Sequence, residues 1–364
     1  MIKNRRSFFQ LLRDFGLQIL ICLVIGEIVV RIWAADISLN PNWKYHPVLG
    51  WSQIPNSKYD YKVVSGEIVS VSFNSLGFRD LEHTKPKPKG IKRILVLGDS
   101  ISEAVQVNLQ DTYFSLLQQK LNADSNQKWE TINLGIGDFG TAQEWLTLNE
   151  FGLSYDPDIV ILQIFPLNDI CNNTIELFEV CGSLNDRYRP YFVESKGDLQ
   201  LRQVQPFRSW FRRNIKLYGV LERSYYQEKF RISGKTADQL RDERVRELGF
   251  KISPVVYTYA PSNQQIPSIN NGWSLTEKII KKISDLAKRR NIKLIVLVVP
   301  FEFAIGNSNW ISFCDDKSAG IELIKDYPEQ RLGAFFNRMG IPGLMLLNTF
   351  EKTQMKFCPM LMDI

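Results

Sequence analysis

The chain has 364 residues, 44% of them hydrophobic and 23% charged, enough for one large domain with additions or for two small ones. A formal charge of +6 spread over that length reads as a solvated basic surface and gives no call for nucleic acid as a partner. Five cysteines are too few for a disulfide framework at this size, and with no CxxC pair or His/Cys cluster there is no reason to expect a metal or an organic cofactor.

The N-terminus reads MIKNRRSFFQLLRDFGLQILICLVIGEIVVRIWAA. Lys3, Arg5, Arg6 and Arg13 precede an apolar stretch from Leu17 to Ala35, broken by Gln18, Glu27 and Arg31. A helix of that length nearly crosses a hydrocarbon core, and the leading positive charges favour an N-terminus left in the cytoplasm. Glu27 and Arg31, four residues apart, share a helix face and can pair near its outer end. The expectation is a single-pass, uncleaved anchor over residues 1–35 with the rest of the chain outside the cytoplasm, periplasmic or extracellular. A cleaved signal peptide is the competing reading, with a weak small-residue match at Ala34 and Ala35.

Residues 36–90 hold short alternating runs around Gly50, Gly66 and Gly77, which predict a small β-rich module, and close on a Pro/Lys linker, EHTKPKPKG. The rhythm then changes. IKRILVLGDS is a continuous apolar strand ending in a tight turn, TYFSLLQQKLNAD a helix, and WETINLGIGDFG a strand with a glycine-rich loop. TAQEWLTLNEFGLSY is a second helix and PDIVILQIFPLND a third strand. Buried strands alternating with helices predict a parallel sheet covered on both faces, with every loop after a strand on the same edge. From about Cys171 to Ala260 the alternation stops, and we read an insertion over about 176–260. It holds a hairpin (DRYRPYFV, DLQLRQVQPF) and a basic, aromatic helix, SWFRRNIKLYGVLERSYYQ, expected to pack Trp210, Phe211, Leu217 and Leu221 on the core. A fourth strand, IKLIVLVVP, and a fifth, GLMLLNTF, each follow an amphipathic helix, giving an α/β domain over 91–364. Cys171 and Cys181 either bridge a short loop or stay as two buried thiols.

Three strand ends carry candidate chemistry. Gly98-Asp99-Ser100 places a serine where a strand breaks into a turn, so that hydroxyl and backbone N–H face one space. In NLGIGDFGT the glycines Gly137 and Gly140 let the backbone aim an N–H at a ligand. In FPLND the Asn168 amide, followed by Asp169, can donate to a developing oxyanion or close an Asx turn. A nucleotide-binding Rossmann domain is disfavoured, because neither GxGxxG nor GxxxxGK[ST] is present.

LVLGDS, NLGIGDFGT and PLND together resemble the first three signature blocks of the SGNH, or GDSL, hydrolase superfamily, over roughly residues 91–175. The preceding anchor and NSLGFRD resemble its membrane-tethered bacterial members. The resemblance implies a flavodoxin-like five-stranded parallel sheet with Ser100 as nucleophile. Asn168 and the backbone N–H of Asp138 would be oxyanion donors, with no cofactor. Asp138 stands where the family usually has glycine, and Pro166 replaces the glycine of the third block. The implied activity is serine esterase or acyl transferase on ester-bearing small molecules or O-acylated cell-surface polysaccharide, through an acyl-serine. A non-catalytic domain binding acylated glycan or an assembly partner is the alternative.

A fourth block, Asp then His, should follow the fifth strand, but after GLMLLNTFEK the chain reads TQMKFCPMLMDI. The chain's two histidines, His46 and His83, both precede the serine; His46 is expected to be structural and His83 solvated in the linker. If Leu361 is encoded by CTG and Asp363 by GAC, a shifted frame through MLMDI reads Ala-Asp-Gly-His. The tail is therefore expected to be a frameshifted or truncated end of an intact gene, and the enzyme impaired as written.

Overall fold

The computed structural model describes residues 2–33, 42–177, 180–181, 188–203, 206–262, 264–317 and 320–353. The candidate cleavage residues Ala34 and Ala35, and the tail from 354 on which the frameshift reading depends, lie outside them. Helix α1 (Ile2–Trp33) contains, from Phe8 to Trp33, the one helix among the described residues long and apolar enough to cross a membrane. Arg31 Nε sits 2.7 Å from Glu27 Oε1, the pairing that the four-residue spacing predicts.

Two antiparallel hairpins follow. In the first, β1 (Trp43–His46) pairs with β2 (Gly50–Gln53); in the second, β3 (Lys58–Lys62) pairs with β4 (Ile68–Ser72). Strand β4 alternates as a half-buried strand must, with Val69 and Val71 inward and Ile68, Ser70 and Ser72 outward. The second hairpin closes a small cluster of its own with Val63 and Phe73. The first does not: Leu49 and Trp51 belong to the main core of the α/β domain. The linker is tied down as well. The buried guanidinium of Arg93 donates to the carbonyls of Thr84 and Lys85 and to Glu130 Oε2.

The main sheet comprises β5 (Ile91–Leu97), β6 (Lys128–Asn133), β7 (Ile159–Ile164), β10 (Lys293–Val298) and β11 (Gly343–Met345), all parallel, in the order β6-β5-β7-β10-β11. The helices α2 (Ser100–Glu103), α3 (Tyr113–Asp124), α4 (Thr141–Glu150) and α5 (Pro166–Asn172) lie between the first strands. Further on come α9 (Pro267–Arg289), α10 (Asn307–Lys317), α11 (Tyr327–Met339) and α12 (Leu347–Thr353). From β5 the chain steps one way to β6 through α3, then back past β5 to β7 through α4. Right-handed crossovers in opposite directions put α3 and α4 on opposite faces; α9 and α11 continue in the direction of α4 and contact one another on its side. The reversal leaves a crevice between the ends of β5 and β7, the switch point where such sheets place ligands. The fifth strand is shorter than the sequence predicts. It pairs with β10 only over Gly343–Met345, and the second half of the segment forms α12 instead.

The insertion contains the expected hairpin, β8 (Pro190–Ser195) with β9 (Asp198–Gln203). The basic segment is not one helix but two, α6 (Pro206–Asn214) and α7 (Lys216–Ser233), followed by α8 (Ala237–Glu247). Its aromatic residues do not pack on the core either: Trp210, Phe211 and Leu221 are exposed, and Leu217 lies against Gly26 of α1. Cys171 and Cys181 are joined in a disulfide.

Candidate active site

Strand β5 delivers Ser100 to the first position of α2, with Asp99 as the N-cap whose Oδ1 accepts the N–H of Ile101 at 2.9 Å. The turn leaves no room for a side chain at Gly98. A Cβ there would lie 2.4 Å from both Gln163 Oε1 and Ser102 Oγ, buried groups already bonded to each other. The far end of α2 is capped from the N-terminal module: Arg79, in the NSLGFRD stretch, donates to the carbonyls of Glu103, Ala104 and Val107. Asp80 beside it accepts the N–H of Asn133 at 2.6 Å. The residues just before the sheet thus brace the serine turn.

The second loop follows β6. Asp138 has φ +65°, in the left-handed region where glycine is at ease and aspartate is among the few tolerated substitutes. Its side-chain charge is answered from 51 residues away. Arg189 Nη2 lies 3.4 Å from Asp138 Oδ1, and Nη1 donates to the Asp138 carbonyl at 2.8 Å and to Gln143 Oε1 at 2.6 Å. The guanidinium stacks on Trp51 at 4.8 Å. Gly137 contributes its N–H to Glu103 Oε2 and its carbonyl to Trp51 Nε1, and at Gly140 a Cβ would lie 2.9 Å from Asn172 Cβ.

On the third loop Asn168 Nδ2 donates to Asp99 Oδ2 at 3.0 Å, which sets the amide beside the serine turn. An amide nitrogen carries two hydrogens, so one can hold this anchor while the other serves an oxyanion. Asp169 points into the protein. It accepts the Phe165 N–H at 2.7 Å and the Thr141 hydroxyl at 3.0 Å, locking α5 to the start of α4. Pro166 occupies the first turn of α5, where a missing N–H costs nothing. The structure therefore gathers Ser100, Asp138 and Asn168 on one edge of the sheet, and gives Asp99, Asp169, Gly98, Gly137 and Gly140 supporting places.

Beneath this edge lies a set of buried carboxyls. Burial pushes Glu103 up to about 7, against the hydrogen bonds from Gln53 and Gly137 and the charge of Arg79. Burial likewise raises Asp99 to about 6, against its bonds from Ile101 and Asn168. Burial and the neighbouring Asp169 and Asp99 carry Glu144 well above the usual carboxylate range, and neither of its oxygens has a hydrogen-bond partner. A carboxyl raised on folding contributes stability that is fully present below its unfolded pKa and is lost as pH rises through the folded one. Resistance to urea is therefore expected to fall between about pH 5 and 8, with Glu103→Gln removing part of that slope, on the order of a few kcal/mol. Unfolding curves at a series of pH values check this; an unchanged slope in the variant would count against it.

Neither histidine serves Ser100. His46 Nδ1 accepts the N–H groups of Val48 and Leu49, and burial with the charge of Lys44 lowers its pKa to about 4. Its ring lies against Phe151, at the end of α4 away from the site; the ten residues from Thr141 span about 15 Å. His83 is not solvated, as the linker composition suggests, but held between Glu130 (2.7 Å) and Asp80 (3.1 Å). Burial works against its imidazolium, yet those two carboxylates raise its pKa.

Sequence reading missed Arg189, Arg79 and Glu103. A glutamate one turn after the serine in SISEAVQV is a visible signal; a lone arginine in an insertion is none. No protein-family model and no curated protein matches the chain. Among solved structures it is similar to TesA, at 11% identity and TM-score 0.35 over 75% of this chain and 87% of that one. It is also similar to an acetyl xylan esterase, at 13% and 0.33 over 71% and 80%, and to a GDSL-like lipase from Bacteroides thetaiotaomicron, at 14% and 0.30 over 74% of each.

Proposed function

We propose that this chain is a membrane-anchored SGNH-type domain built for acyl chemistry on esters, with Ser100 as nucleophile and the N–H groups of Ser100 and Asp138 and the Asn168 amide as oxyanion donors. The observation that carries the reading is the convergence of three successive strand ends at the β5/β7 crevice, with Asn168 bonded to the residue before the serine. In the reaction, Ser100 Oγ adds to the ester carbonyl, the alcohol leaves with a proton, and water or an acceptor hydroxyl releases the acyl group. Preorganised donors of the Asn168 kind are each worth about 3 kcal/mol.

We propose cell-surface carbohydrate, outside the cytoplasm, as the carrier of the acyl group. The Cys171–Cys181 disulfide fits an oxidising compartment. The contacts of Glu27 and Arg31 with the insertion fit an anchor that stays attached rather than a leader that is cut away. The division proposed is an anchor over 1–35, a bracing β-rich module over 36–90 and the hydrolase-like domain over 91–364.

With both histidines engaged elsewhere, hydrolysis within these 364 residues proceeds without an imidazole. Loss of the triad base costs on the order of a millionfold in turnover. The full chain in detergent, given p-nitrophenyl acetate, is expected to release a single burst of p-nitrophenolate that Ser100→Ala lacks, with little turnover after it. Equal traces from the two proteins would favour the second reading, a binding domain for acylated glycan, which the occupied histidines support.

A further inference from the structure

The insertion presents a face that the domain does not use. On α6, Phe207, Trp210 and Phe211 fall at helical spacing and are 82%, 55% and 40% exposed. On α7, Leu221, Tyr225 and Ile232 form an exposed stripe that continues from Leu217, the residue lying against α1. From Pro206 to Ser233 there are seven lysines and arginines against two glutamates, and one of these, Glu222, is buried against Tyr188. Exposed rings interleaved with cationic side chains suit neither a protein core nor free water. They suit the headgroup layer of a bilayer, where aromatic rings and basic side chains both find partners.

The position of the helices is fixed. The Glu27 carboxylate accepts the N–H groups of Lys216 and Leu217 at 3.0 and 2.8 Å, capping α7, while Arg31 Nη2 donates to the Asn214 carbonyl at the end of α6 at 2.8 Å. The elbow between the two helices is thus bolted to α1. Glu27 lies 19 residues beyond Phe8, the first residue of the stretch long enough to cross a membrane, which holds the exposed Arg13–Asp14 ion pair near its start. That is about 29 Å of helix, close to the roughly 30 Å thickness of a hydrocarbon core.

We infer that α6 and α7 lie in the headgroup layer of an anionic bilayer, a second attachment beside α1. The inference rests on the reading of α1 as a membrane span, and tryptophan reporters in the two places separate the claims. Leu20 lies midway between Phe8 and Trp33 on α1, so the Leu20→Trp variant carries a reporter in the hydrocarbon core, while Trp210 reports α6. The full chain is reconstituted in phosphatidylglycerol-containing vesicles with brominated acyl chains, which quench tryptophans that touch lipid. Added fluorescence that is quenched in Leu20→Trp reports the span; quenching lost in Trp210→Phe reports α6. The expected result is both, with the Trp210 part falling about twofold or more when phosphatidylglycerol is replaced by phosphatidylcholine or when Arg213→Glu and Lys229→Glu are combined. Quenching in Leu20→Trp with none assignable to Trp210 would overturn the surface attachment alone and point to a protein partner. An added tryptophan left unquenched in Leu20→Trp would overturn the span and the attachment built on it.

Discussion

Arg189→Met is expected to cost the protein about 2 to 3 kcal/mol, the penalty for stripping a charged donor from buried acceptors, with the Asp138 carboxylate itself partly reached by solvent. The arginine is 1% exposed and meets Asp138, Gln143 and the Trp51 ring together. Methionine fills much of the space but answers none of the three. The double variant Arg189→Met with Asp138→Gly is expected to recover part of the loss, since it removes the carboxylate that faced the guanidinium and puts glycine at a left-handed position. Urea unfolding of the two single variants and the pair closes a double-mutant cycle. Strict additivity would mean that the arginine acts through packing alone and does not set the second-loop charge.

The second large effect is a gain. If Ser100 lacks only a base, free imidazole should supply one. Turnover of p-nitrophenyl acetate by the full chain is expected to rise on the order of tenfold or more, towards the 10²–10⁴-fold that general-base catalysis provides. Free imidazole also attacks this ester directly, so the Ser100→Ala protein in the same buffer defines the background. An increase of the same size in both proteins would show that the serine site takes no part. The burst and the rescue read different steps, acylation in the first case and base-assisted release of the acyl group to water in the second.

Much of this architecture is legible in the sequence because buried parallel strands announce themselves. ILVL, VIL and LIVLVV are short apolar runs bounded by turn signals, and their order with amphipathic helices between them gives the sheet. The first and third loops are legible for the same reason, since each ends such a run, while the second is marked by its glycines. What stays hidden is whatever depends on contacts remote in sequence. Arg189 reaches Asp138 across 51 residues, and Arg79 caps α2 from 24 residues away. His83 looks solvated among lysines and prolines, yet it is enclosed by Glu130, a residue on a strand 47 positions later. The break between α6 and α7 is equally invisible, because the Glu27 carboxylate that caps α7 comes from 190 residues upstream.

The disulfide makes the state of this site depend on where the chain is folded. Cys171 lies in α5, three residues after Asn168, and Cys181 in the segment that opens the insertion, so the bond closes a short covalent ring beside the third loop. Closing a ring of that size is worth about 2 to 3 kcal/mol of unfolded-state entropy. Chains that mature in a reducing compartment forgo that margin, while those that mature in an oxidising one keep it. The same polypeptide is then two materials of different robustness, sorted by the compartment in which it matures.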